Sequence, residues 1–155
     1  MSIDLQTLTL ECGPVTLRRE SGDSRVWRLR INGELLPARV DAGIVVPNAR
    51  RAHIAISQWS PQNDPYAQVI LRLLLHHLFV SDKAHQVAFT AIDTEQGLFD
   101  AALKCGFLEE GRRRHTVIVD GYWRDHICMT LFESQWHDGV VADPGHFEGF
   151  LGGRS

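Results

Sequence analysis

The chain has 155 residues, 44% of them hydrophobic and 23% charged, with a formal net charge of −3. That length and balance predict one globular domain able to bury a core without staples. The acidic balance argues against a general nucleic-acid or anionic-membrane surface. Cys12, Cys105 and Cys128 are widely spaced and form no CxxC pair, which fits reduced thiols in a cytoplasmic protein rather than a disulfide framework.

In chain order, Leu5–Leu10 alternates as LQTLTL and Val15–Arg18 resumes the pattern beyond Cys12-Gly13-Pro14, predicting a hairpin or a broken strand. Arg25–Ile31 is β-rich, Asn32-Gly33 is a type I′ turn signal, and Glu34–Val40 returns. Asp41–Val46 and Arg51–Trp59 read as two further strands split at Pro47-Asn48. The first helix is expected from Tyr66 to Phe79, with Asp64 as N-cap and Pro65 at the first position. Its apolar set, Ala67, Ile70, Leu71, Leu74, Leu75 and Leu78, keeps the 3, 4 spacing of an amphipathic helix. The apolar run Val69–Val80 is interrupted by Arg72, His76 and His77 and is too short for a membrane span. Val87–Ile92 reads as a central strand. Thr94–Cys105 reads as a second helix stopped by Gly106, with Phe107 the first apolar residue beyond. Val117–Val119 and His126–Phe132 form a hairpin about Asp120-Gly121. The expected domain is 1–136, and the glycine-rich stretch 137–155 reads as a tail. The order β-meander, helix, strand, helix, hairpin predicts an α/β or α+β fold with a mixed sheet.

Two stretches, LFDAALKCGFLEEG (Leu98–Gly111) and Gly121-Tyr122-Trp123-Arg124-Asp125, resemble the end of the GNAT superfamily of N-acetyltransferases. They are most similar to its ribosomal-protein N-terminal acetyltransferase branch. The resemblance implies a central mixed, mostly antiparallel sheet flanked by helices. The short connection from Arg19 to Arg25 implies that one or both of the family's early helices are missing. It also implies acyl transfer from acetyl-CoA to a primary amine on a small molecule or a peptide. In the family the coenzyme arm lies along a splayed strand, here Ser57, Gln58 and Trp59. Its pyrophosphate meets the start of the next helix, here Gln62, Asn63, Asp64, Tyr66 and Ala67. Glu95 stands where the family often has a coenzyme-binding Asn, and Ala101 where it often has a Tyr acid. Asn63 and Pro65 replace the loop glycines, and Pro65 offers no N–H to a phosphate. These departures support an alternative, a GNAT-fold binding or assembly module that does not use acetyl-CoA.

His53, at the start of the strand before the loop, is a candidate base with the right intrinsic pKa, although a strand-start histidine is more often merely solvated. Tyr122 is a candidate proton donor, and core packing or a dimer face is the plainer role for it and for Trp123. Asp125 reads as a structural carboxylate. Arg112-Arg113-Arg114-His115 reads as a solvated basic turn, with contact to an anion as the sharper alternative. His76 and His77 are adjacent on a helix, so they diverge by about 100° and cannot chelate; no metal is expected. Cys105 and Cys128 read as buried hydrophobes. The apolar strands and missing helices also predict a homodimer.

Overall fold

The computed structural model describes residues 8–20 and 24–137. Five strands come first: β1 (Thr9–Cys12), β2 (Val15–Arg19), β3 (Val26–Ile31), β4 (Glu34–Val46) and β5 (Arg51–Ser57). A 3-10 turn over Pro61–Tyr66 leads into α1 (Ala67–His76), which widens to a π-turn over His77–Ser81. Then follow β6 (Gln86–Ile92), α2 (Gln96–Lys104), β7 (Leu108–Val119), β8 (Tyr122–Phe132) and the short α3 (Glu133–His137). The strands form one sheet in the order β1-β2-β3-β4-β5-β6-β8-β7, and only β5 and β6 run parallel. This is the mixed, mostly antiparallel sheet that the sequence leads one to expect. No helix among the described residues is long and apolar enough to cross a membrane.

Period-two alternation decides which face is covered. Leu17, Trp27, Leu29, Val40, Ile54, Phe89 and Met129 point to one face and are buried there under the helices. The whole predicted stripe of α1 (Ala67, Ile70, Leu71, Leu74, Leu75, Leu78) is 0% exposed. α2 ends as its sequence requires: Gly106 takes φ 106°, its N–H donates to Leu103 O, and Phe107 N–H donates to Ala102 O. Phe107 then packs on Phe89 with ring centroids 5.8 Å apart. The opposite face of the sheet carries Thr16, Arg28, Arg39, Asp41, His53 and Thr90, none of them fully buried. Among the described residues nothing covers it, since β2 turns back to β3 almost at once, with Glu20 N–H donating to Val26 O at 3.0 Å.

Several local expectations are corrected. Glu34–Val40 and Asp41–Val46 are one 13-residue strand, whose direction changes are absorbed by register shifts against β3 and β5. Arg112–His115 is not a turn but part of β7, exposed throughout and bulged against β8 between Arg113 and Val117. α1 starts at Ala67 rather than behind an Asp64 cap, because the Asp64 carboxylate is taken by the Trp59 indole N–H at 2.7 Å. Leu5, Gln6 and Thr7 of the first alternating run, and the tail beyond His137, lie outside the described residues.

Candidate functional site

The parallel pair β5–β6 is joined at one end and open at the other. At the joined end Arg50 Nε donates to Lys83 O at 2.6 Å, and His85 N–H donates to Arg50 O at 2.7 Å. Pairing then runs from Arg51↔Gln86 to Ala55↔Thr90 and stops. Beyond that point β5 stays with β4 (Ser57↔Arg39), while β6 stays with β8 (Ile92↔His126). The two strands therefore diverge, leaving facing backbone edges without a partner strand. Gln58, directly after β5, sits at φ 58°, a left-handed conformation unusual for a residue with a side chain. It turns the chain sharply away and keeps the opening from zipping up.

Two cavities meet at this opening. One, of about 580 Å³, lies between the 58–64 loop and the start of α2, with Trp59, Asp64, Gly97 and Arg124 in its wall. The other, of about 370 Å³, opens on the uncovered face and is lined by Arg39, Asp41, Ser57, Thr90 and His126. Gln58, Ile92 and Glu95 belong to both. Glu95 precedes α2 and turns its carboxylate back to accept the Ile92 N–H at 2.9 Å. Burial raises its pKa above the ordinary glutamate value, and the Ile92 hydrogen bond opposes that rise. A half-buried carboxylate disposed to hold a proton thus stands between the two cavities.

In the larger cavity Asp64, Glu95 and Asp120 face a single guanidinium, that of Arg124, which lies 5.7 Å from the Tyr122 ring. Asp64 crosses to α2 so closely that a Cβ on Gly97 would overlap its carboxyl group. In the smaller cavity His126 Nδ1 lies 2.6 Å from the Thr116 hydroxyl. Asp125 is structural: its Oδ1 accepts the His115 N–H at 2.9 Å and its carbonyl accepts the Asp93 N–H at 3.0 Å.

Of the candidates named from sequence, Ser57, Gln58, Trp59, Asp64 and Glu95 come together here. His53 and Tyr122 do not. His53 lies on the uncovered face with Nε2 3.9 Å from Asp41, outside the lining of either cavity. Tyr122 is 67% exposed at the tip of the β7–β8 hairpin, also outside both. Gln62, Asn63 and Tyr66 lie in the turn leading to α1 and Ala67 is its first residue; none of them lines either cavity. Arg124, Gly97 and His126 were not singled out. Arg124 lies inside the Gly-Tyr-Trp-Arg-Asp stretch, and Gly97 is a glycine opening a helix, but nothing local says what either will face.

An extended ligand with amide groups suits the β5 edge where the strands part, whereas on β6 the Ile92 N–H and carbonyl are already taken by Glu95. At the entrance to α1 a cavity of about 330 Å³ is lined by Lys104, yet most of what an anion would meet there is unfavourable. Pro65 has no N–H, the amides of Asn63 and Ala67 are committed to Ser60 O and Asp64 O, and the Asp64 carboxylate lies alongside. Among the described residues no cluster of His, Cys, Asp or Glu could hold a metal ion.

No family model and no curated protein matches the chain. Solved structures do. The N-terminal domain of ribosomal-protein-alanine acetyltransferase from Clostridium acetobutylicum superposes with TM-score 0.72 at 14% identity, over 84% of this chain and 100% of that one. The protein has the GNAT acetyltransferase fold. Mycobacterium smegmatis RimJ, in complex with CoA-disulfide, matches this GNAT fold with TM-score 0.65 at 22% identity, over 83% of this chain and 61% of that one. Spermidine N-acetyltransferase from Vibrio cholerae, in complex with CoA and spermine, gives TM-score 0.61 at 19% identity, over 75% and 70%. The chain thus spans about three fifths of the M. smegmatis protein. Among the described residues this chain reaches β3 with no helix before it, and no described element covers one face of its sheet.

Proposed function

We propose that this GNAT-fold chain is an N-acyltransferase, moving an acyl group from a pantetheine thioester to the primary amine of an acceptor that enters from the uncovered face. One observation carries the reading: Glu95 stands between two cavities that meet where β5 and β6 part. The larger cavity and the β5 edge at the opening suit the donor's amide-bearing arm, and the smaller cavity suits the amine. Glu95, in its ionised form, takes the proton from the incoming amine. Nitrogen then adds to the thioester carbonyl, the C–N bond forms, the C–S bond breaks, and the leaving sulfur takes the proton that Glu95 removed, departing as the thiol. Backbone N–H groups on the free edge around Ser57–Trp59 are the donors available to the developing oxyanion. Fold likeness and the CoA-bound state of two neighbours support the donor class.

A second reading has its own observation. The entrance to α1 sets Pro65, its committed amides and the Asp64 carboxylate against a diphosphate, with Lys104 the one cation lining the cavity of about 330 Å³ there. In that reading the fold persists as a binding or assembly module without acetyl-CoA. Thermal melting with acetyl-CoA and with acetyl-pantetheine, which lacks the diphosphate, separates the two. Acyl transfer with an unhelpful loop predicts that both ligands raise the melting temperature by similar amounts. Saturation at 100 times Kd corresponds to about 2.7 kcal/mol, or roughly 5–10 °C for a domain this size. A flat response to both ligands would leave only the binding module. Pro65→Gly restores an N–H and is expected to improve acetyl-CoA alone; no improvement would count against the role given to the loop.

A further inference from the structure

The uncovered face carries a feature that the reaction above does not use. Register pairs Arg18 with Arg28, Arg28 with Arg39, and Arg39 with Ser57. Three guanidinium side chains therefore stand in a row across β2, β3 and β4, and the row ends at the mouth of the smaller cavity. Like charges directly opposite each other on a sheet are unfavourable. Glu20 answers Arg28 at 2.8 Å, whereas Arg18 and Arg39 have no carboxylate within ion-pair distance among the described residues. Asp41, a further carboxylate on this face, faces Arg25 at 3.7 Å and His53 at 3.9 Å. The row stands against the charge of the whole chain, which is −3. All but two of the sixteen basic residues are arginine, the side chain whose fork matches a carboxylate. A groove of about 230 Å³ runs between Arg28 and Arg39 and reaches Gln58 at the opening.

We propose that this arginine row receives the acidic segment of the acceptor, so that the acceptor is a peptide whose free N-terminus is followed by Asp or Glu residues. The inference rests on the acyl-transfer reading for the position of the amine. Strands lie about 4.8 Å apart, which sets Arg39, Arg28 and Arg18 roughly 5, 10 and 14 Å from Ser57. An extended peptide advances about 3.3 Å per residue, so carboxylates at about its third to fifth residues reach the row when its amine is at the opening. A single small amino acid spans too little of the row. A polyamine brings the wrong sign of charge to it.

The test measures fluorescence-anisotropy binding of hexapeptides to the full chain, without any acyl donor. One peptide carries Asp-Glu-Glu at its third to fifth positions, one carries Ser-Gln-Gln there, and spermidine serves as competitor. The acidic peptide is expected to bind at least ten-fold tighter at low ionic strength, with the advantage shrinking as salt rises. Arg18→Gln and Arg39→Gln each lower that affinity about three-fold, and together about ten-fold, as exposed ion pairs do. Arg39→Lys keeps most of it, and Glu20→Gln, which frees Arg28, raises it. Removing one arginine also relieves the repulsion, so these variants melt no lower than the parent, which separates lost recognition from lost folding. Equal affinity for the acidic and neutral peptides overturns the proposal, as does an acidic-peptide affinity indifferent to the arginines. Peptide binding that persists while neither acetyl-CoA nor acetyl-pantetheine shifts the melting temperature sinks the acyl-transfer reading and leaves the cationic docking surface in place.

Discussion

Ionising Glu95 costs the fold free energy, because burial favours its neutral form. The folded pKa is raised, so the stabilising contribution is complete below the ordinary value of 4.5 and is lost as pH climbs through the folded value. Glu95→Gln, which can keep the Ile92 hydrogen bond through its amide oxygen, is therefore expected to melt above the parent at neutral pH, with the difference vanishing below pH 4.5. The same substitution removes the base and is expected to lower kcat by about 10²-fold or more. The parent's kcat/KM should fall on its acid side at a pH above 4.5, and a profile flat down to that value would remove Glu95 from the role. Cys105 has no comparable part: burial pushes its thiol up to about 12, well away from nucleophilic use at neutral pH. Sequence places Glu95 near a helix start and assigns it to a coenzyme by position. Its place between two cavities depends on β5, β6 and β8, which no local pattern brings together. For the same reason His53 looked catalytic. Its strand is the expected one, yet its side chain faces Asp41 rather than the opening.

Elements whose boundaries are set by local chemistry were legible. Asn32-Gly33 and Asp120-Gly121 carry the left-handed dihedrals that their turns require. Gly106 is the sharpest case, since φ 106° suits no side chain. Gly106→Ala is expected to cost about 1–2 kcal/mol, seen as a melting point lower by roughly 2–8 °C. A loss outside urea-titration error is needed here, and none would mean that α2 ends differently. Elements set by partners were not legible. β7 passes through Arg112-Arg113-Arg114-His115 because β8 pairs with it, and with both faces exposed it shows no alternation to read. The 3-10 turn over Pro61–Tyr66 follows from Trp59 holding Asp64, a side-chain bond between residues whose spacing carries no signal of its own.

At the scale of the molecule, the helices among the described residues lie on one face of an eight-stranded sheet and leave the other uncovered. The last packed side chain among the described residues is Trp136, 3% exposed and stacked on Phe79 with ring centroids 5.1 Å apart. Trp136→Ala is expected to cost about 3–5 kcal/mol, and truncation after Phe132 at least as much, both measured by urea unfolding. A truncation of native stability would detach α3 from the core. By itself the sequence determined the order of strands and helices, the stripe of α1, the turns and the stop at Gly106, because apolar period and backbone freedom act over a few residues. The parting of β5 and β6, the position of Glu95 in that gap, the carboxylate at the entrance to α1 and the arginine row leading to Ser57 were decided only by the tertiary structure. Each is a juxtaposition across strands or between loops, and register, which sets it, emerges only when the whole sheet is assembled.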